Sequence, residues 1–333
     1  FILGGLPKQG QTLEEVKDLL LNEIKKLRAG EFDEKMLQAN INNFKLYELQ
    51  SMESNEGRAD IFVNSFINGT NWEDEVTAID RMAKLTKEDI VAFADKYLKE
   101  DNYAVVYKKQ GKDPNEKKMT KPEITPIVSN RDVASPFLTS IQENAVKPIE
   151  PVFLDFKKDM SQLTAKSDIP VLYKQNTTND LFQLIYVFDM GNNNDKALGT
   201  AFDYLEYLGT SDMTPEELKS EFYRLACTFY VSPGNERTYV VLSGLNENMP
   251  AAMQLFEKLL ADAQVNKEAY DNLVGDILKA RADAKLNQGQ NFSRLMNYAM
   301  YGPKSPATNL LTEAELASMN PQELVDRIHN QNN

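Results

Sequence analysis

Two runs of aromatic and β-branched residues flank Pro233-Gly234-Asn235 in the stretch CTFYVSPGNERTYVVLSGL, residues 227–245. Runs of this composition on either side of a turn read as a β-pair. A lone pair is marginal in water, so its apolar face demands a covering layer. The neighbouring sequence supplies one. Helical apolar spacing recurs at 195–208, 215–226, 249–262, 267–286, 289–301 and 321–330, and further strands are expected at 169–174 and 181–189 (LFQLIYVFDMG). Paired strands alternating with helices predict an α+β domain, its helices laid on a mostly antiparallel sheet.

The first third of the chain is written differently. Residues 1–5 read as a short strand ended by Gly4-Gly5. Thr12 followed by Glu15 is a capping-box signature, and Leu13, Val16, Leu20, Ile24 and Leu27 form one apolar face ending at Gly30. Asp33 is placed to cap a second helix bearing Met36, Ile41, Phe44 and Leu46. Helices are expected at 54–68, 72–83 and 87–98, the last capped by Thr86, before a strand at 102–109. Trp72, at a helix start, reads as a packing anchor. Residues 111–165, from KDPNEKK to KPIEP, lose this rhythm and read as a proline-rich extended linker. At 333 residues the chain has length for two domains around that linker.

Charge narrows the partners. The net charge of −13 and the absence of a Lys/Arg-rich block argue against nucleic acid, whose phosphates require a basic stripe. No apolar stretch approaches the roughly 20 residues of a membrane-spanning helix. One cysteine, Cys227, excludes an internal disulfide and reads as a small buried hydrophobe, since no histidine is near in sequence to activate it. The single histidine, His329, lies close to the end. The chain opens at Phe1 without a leader pattern and closes on Asn330-Gln331-Asn332-Asn333, so both ends read as cut.

Two features invite a functional reading. Gly69 precedes LTKEDIVAFADKYL by sixteen residues, and Gly302 precedes MNPQELVDRIHNQ by seventeen; this echo is either a shared helix start or a repeat whose first copy lacks its front half. The second is AFDYLEYLGT, residues 201–210, on a helix following a strand that ends at Gly191. Leu198, Phe202 and Leu205 form its buried stripe. Asp203, Glu206 and Tyr207 gather on the other flank, at the spacing by which a helix offers two metal ligands and a base to one point. The bland alternative is a pair of surface acids beside a packed aromatic Tyr207.

The frame of strand, glycine, helix with Asp203-x-x-Glu206-Tyr207 and Leu208-Gly209-Thr210, then LSGLNENMPAAMQLFEKLL, resembles the insulinase/pitrilysin family of zinc peptidases. LTKEDIVAFADKYLKEDNYAVVYKKQG is similar to that family's closing helix and strand, and 111–165 to the connection between the halves of its large members. The resemblance implies two insulinase-like domains. Residues 1–110 are the back half of an incomplete one, 111–165 the linker, and 166–333 a third, non-catalytic domain.

The family's motif is His-x-x-Glu-His, with a carboxylate from a later helix completing the zinc site. Here Asp203 and Tyr207 stand at the two histidine positions, Glu206 at the base position, and Asp276 is the nearest match to the third ligand. A carboxylate, a phenol and a second carboxylate make a poor zinc site. The expectation is no metal in this segment and zinc in a histidine-bearing domain upstream. The resemblance further implies a wall of a peptide-degrading chamber, with peptide or unfolded polypeptide and the remaining domains as partners. It favours a bacterial periplasm or cell envelope, with cytoplasm open. The alternative is an inactive peptide-binding or assembly subunit of the same fold that was never a peptidase.

Overall fold

The computed structural model describes residues 1–8, 10–112, 117, 119–127, 129, 131–305 and 307–330. Residues 113–116, 118, 128 and 130 of the expected linker and the closing Gln331-Asn332-Asn333 lie outside the described residues. Two compact units are present. One combines Phe1–Asp101 with Asn176–Asn333, and the other is Asn102–Gln175.

The first unit opens with six helices: α1 (Leu13–Ala29), α2 (Lys35–Ser51), α3 (Asn55–Asn68), α4 (Trp72–Val76), α5 (Ala78–Met82) and α6 (Lys87–Tyr97). Local chemistry fixes their ends. Thr12 with Glu15 and Thr86 with Asp89 form capping boxes, each satisfying two backbone donors that the helix leaves open. Gly30 and Gly69 close α1 and α3 in the left-handed conformation, at φ 71° and 64°. Asp33 takes the Lys35 N–H at 3.0 Å, one residue ahead of the cap position. The helix expected over 72–83 is broken at Thr77, whose hydroxyl donates back to the Glu73 carbonyl at 2.7 Å. Residues 1–5 and 102–109 form no strand. A strand needs a partner for its exposed N–H and C=O groups, and among the described residues neither stretch has one.

The second unit holds α7 (Pro136–Gln142) and an antiparallel pair, β1 (Ser161–Thr164) with β2 (Pro170–Tyr173). Ser135 caps α7, and Pro136 occupies its first turn, where no N–H is needed. Ordered elements therefore lie inside the stretch expected as linker. Asp168, in the loop between the two strands, takes a left-handed φ of 58°.

The first unit resumes with β3 (Leu181–Phe188), α8 (Leu198–Leu205), α9 (Pro215–Arg224), β4 (Cys227–Pro233) and β5 (Thr238–Leu245). Four long or medium helices and a short one follow: α10 (Met249–Asp262), α11 (Lys267–Leu286), α12 (Gln288–Tyr301), α13 (Glu313–Ser318) and α14 (Pro321–Asn330). The three strands form an antiparallel sheet in the order β3-β5-β4. The architecture is α+β, as the sequence predicts.

Register sets the core. Leu184, Leu242 and Phe229 stand in one row across the sheet, and Tyr186, Val240 and Val231 in the next. Alternation along a strand sends both rows to one face. There they meet Leu198, Phe202 and Leu205 of α8, Phe222 of α9 and Phe256 of α10 in a single apolar cluster. Phe229 lies between Phe222 and Phe256, with ring centroids 5.2 and 4.9 Å away.

Helix α2 joins the sheet at its other end, through Leu46 against Leu181, Ala226 and Leu245. Its asparagines cap α9. Asn43 donates to the Tyr223 carbonyl at 2.7 Å and Asn42 to the Arg224 carbonyl at 3.2 Å, while Asn248 donates to the Leu225 carbonyl at 2.7 Å. These carbonyls belong to the last turn of a helix, where no intrahelical partner exists. The 1–101 and 176–333 segments thus share one compact unit.

Where β4, β5 and β3 cross, Gly244 stands opposite both Cys227 and Phe182. A Cβ there would lie 2.4 Å from the Ala226 carbonyl oxygen and 2.6 Å from the Cys227 Sγ. Only glycine lets the strands approach so closely. We predict that Gly244→Ala destabilises the fold by about 2 kcal/mol or more, since backbone must shift to admit the methyl. Urea denaturation followed by circular dichroism measures it.

Candidate functional site

The segment bearing the motif residues is anchored from both ends. After β3, Gly191-Asn192-Asn193-Asn194 makes the turn the sequence suggests and zips onto the hairpin. The N–H groups of Asn192 and Asn193 donate to the carbonyls of Gly234 and Asn235, each at 2.9 Å. The asparagine side chains carry the rest. Asn194 accepts from the Gly191 N–H at 3.0 Å, and Asn192 from the Gly199 N–H at 3.1 Å, inside the first turn of α8. Asp195 accepts the Ala197 N–H at 2.9 Å and pairs with Arg327 of α14 at 2.7 Å. These commitments delay the helix start from the expected 195 to Leu198.

Helix α8 buries Leu198, Ala201, Phe202, Tyr204 and Leu205. The expected stripe is confirmed and widened by Ala201 and Tyr204. The helix ends at Leu205, three residues short of the expected 208. Tyr207 therefore sits in a closing turn, its N–H donating to the Tyr204 carbonyl at 3.0 Å. It is 41% exposed, with the Lys219 ammonium 5.6 Å from its ring centroid. The packed aromatic is Tyr204, fully buried, and the expectation of a packed Tyr207 is corrected. The helical spacing Ala197, Ala201, Tyr204 carried that signal in the sequence.

Tyr204 ties α8 to α11. Its hydroxyl donates to the Asn266 carbonyl at 2.7 Å and accepts the Asn266 N–H at 2.9 Å. Its ring meets Tyr270 edge-on at 5.8 Å, and the Tyr270 hydroxyl donates to the Leu316 carbonyl at 2.6 Å.

The Leu208-Gly209-Thr210 turn is equally constrained. The Gly209 carbonyl accepts from Gln264 at 2.9 Å, and a Cβ at 209 would lie 2.4 Å from the Met213 carbonyl oxygen. Thr210, buried, donates to Asp212 at 2.8 Å, and Ser211 donates to Asp262 from both its N–H and its hydroxyl. This turn is a structural joint between α8, α9 and α10.

Asp203 and Glu206 reach solvent on the outer side of α8. Partial burial, followed by the neighbouring Glu206 carboxylate, holds the Asp203 carboxyl above the ordinary carboxylate range. Asp276 is exposed on α11, where its charge acts on Lys279 of the same helix. Among the described residues no three of His, Cys, Asp and Glu gather closely enough to hold a metal ion, so Asp203, Glu206 and Asp276 do not converge.

The donor set does not fit zinc. The motif positions offer carboxylates at Asp203 and Glu206 and, beside an ammonium, the phenol of Tyr207, with no imidazole among them, and among the described residues no metal-holding group of three is present. Cys227 is buried, its thiol pushed up to about 11 chiefly by burial, which keeps it protonated and unreactive.

No family model matches this chain, and no curated protein matches it. Solved structures do. It has 15% identity and a TM-score of 0.45 with a peptidase M16 inactive domain from Pseudomonas fluorescens, covering 51% of this chain and 43% of that one. With the periplasmic protease PqqL from Escherichia coli it has 13% identity and a TM-score of 0.45, covering 95% of this chain and 37% of that one. With the ferredoxin protease FusC bound to Arabidopsis ferredoxin it has 10% identity and a TM-score of 0.46, covering 92% and 37%. The chain spans less than half the length of each of these proteins. At TM-scores below 0.5 none of these likenesses assigns an activity to it.

Two outcomes are expected at this site. Tyr204→Phe leaves the Asn266 N–H and carbonyl without their partner and lowers stability by about 1–3 kcal/mol in urea unfolding. For Asp203 the folded carboxyl keeps its proton to higher pH than the unfolded one. The stability linked to it is full below the unfolded pKa and falls as pH rises through the raised folded value. Asp203→Asn should then raise the urea midpoint at pH 7 and leave it unchanged near pH 3; an equal shift at both would refute the linkage.

Proposed function

We propose that this chain is a non-catalytic portion of a zinc-dependent metalloendopeptidase of the insulinase/pitrilysin type. It would form part of the wall of a peptide-degrading chamber. One observation carries the reading. The order of β3, the Gly191 turn and α8, with Glu206 and Leu208-Gly209-Thr210 just after it, and of β5 ending in Ser243-Gly244-Leu245 before α10, supports the resemblance that puts Glu206 at the family's base position. With Asp203 and Tyr207 in place of imidazoles, that frame keeps the family's joints without its ligands.

On this reading residues 1–110 close the second domain, 111–165 connect, and 166–333 form the third. Zinc and the hydrolytic chemistry belong to a histidine-bearing domain encoded upstream. Residues of this chain would supply rigidity and peptide contact. Peptide or unfolded polypeptide is the substrate, and the other domains of the same protein are the remaining partners. The setting proposed is a bacterial periplasm or envelope.

Purified protein of this sequence should cleave no unfolded basic peptide, with or without added zinc, when products are followed by mass spectrometry. Chelator-sensitive cleavage by the homogeneous protein would overturn the assignment. The encoding reading frame supplies the complementary test. An upstream His-x-x-Glu-His supports the peptidase, and a complete frame without one leaves the inactive peptide-binding or assembly subunit in its place.

A further inference from the structure

Helix α3 turns its apolar stripe outward. Ser65 is its buried residue, while Phe62, Val63, Phe66 and Ile67 are 59, 50, 87 and 70% exposed. Phe62 stacks on Trp72 at the start of α4, with ring centroids 4.6 Å apart and 17° between planes, and Trp72 is itself 43% exposed. The expected packing anchor is thus one tile of an open aromatic surface. Exposed apolar side chains grouped on one helix face are a candidate docking surface.

The surrounding charge is predominantly acidic. Residues 48–80 carry eight acids and one basic residue, Arg58. Arg58, itself exposed, donates to the Met52 carbonyl at 2.6 Å and to Asn55 at 3.2 Å. Glu56 and Asp60, a turn apart on α3, flank the stripe, and Glu73, Asp74 and Glu75 follow Trp72 directly. Of these, Asp74 is paired, with Arg81 at 2.9 Å. Burial, and after it the fields of Glu75 and Asp80, raise the Glu48 carboxyl above the ordinary range. Carboxylates crowded this way are relieved by an incoming cation.

We propose that the α3–α4 surface docks a cationic, amphipathic polypeptide segment. Its leucine-like side chains would lie on Phe62 and Phe66, and its lysines or arginines would reach Trp72 and the acidic rim. Charge complementarity selects this occupant. Anionic lipid and nucleic acid are repelled by the same acids. A second copy of the chain would set acid against acid. The inference rests on the reading above only for peptide as ligand class. Its own evidence is the patch and its rim, so its failure leaves the reading-frame and cleavage tests untouched.

Trp72 is the sole tryptophan, so its emission reports on this surface alone. The full chain is titrated with a synthetic amphipathic Leu/Lys peptide and with its Leu/Glu counterpart. The expected result is a blue shift with the Leu/Lys peptide, binding about tenfold or more tighter than Leu/Glu and weakening as salt is raised. Phe66→Ser, at an exposed position, should reduce that affinity without moving the urea midpoint. Glu75→Gln should reduce it and flatten the salt dependence. An unchanged emission, an equal response to both peptides, or full affinity in both variants would overturn the proposal. So would a shift that follows protein concentration without peptide, which would place a second copy there.

Discussion

The close crossing of β4 and β5 at Gly244 governs the first unit. With no side chain at that point, Cys227 and Phe182 face one another across the central strand, and β5 takes partners on both edges. The rows that follow, Leu184–Leu242–Phe229 and Tyr186–Val240–Val231, then present one apolar face. Helices α8, α9 and α10 bury it, as the face of a twisted sheet requires. Displacing β4 at Gly244 would shift Phe229 out of the aromatic group formed with Phe222 and Phe256.

Around this core, amides do work that charges do elsewhere. Asn42, Asn43 and Asn248 close the C-terminal end of α9, and Asn192 and Asn194 hold the turn into α8. A neutral amide can accept and donate at once, so it satisfies loop carbonyls and N–H groups without adding to a net charge of −13. The acids are left to the surface, where they crowd the α3–α4 patch and the outer side of α8. Polarity is thereby divided between joints, which need geometry, and faces, which set what can approach.

Much of this was legible in advance. The hairpin at 227–245, the helices at 249–262 and 267–286, and the capping boxes at Thr12 and Thr86 rest on contacts a few residues apart, and these survive unchanged in the fold. The strands expected at 1–5 and 102–109 do not form, because β-structure is completed by a neighbour that local composition cannot name. Helix α8 starts later than its periodicity suggests, because Asp195 is held by Arg327, 132 residues away. The same blindness assigned the packed aromatic to Tyr207 in place of Tyr204, whose partner Asn266 lies 62 residues on.

Sequence alone determined the donor chemistry: a carboxylate at 203, a carboxylate at 206 and a phenol at 207, with one histidine in the whole chain. Side-chain identity fixes what a position can ligate, whatever the fold. Tertiary structure decided which of those groups meet. It left Asp203, Glu206 and Asp276 without the convergence that a metal needs, and left Phe62, Phe66 and Trp72 exposed. Convergence and exposure depend on how distant helices cross, and a spacing rule within one helix carries no information about a second.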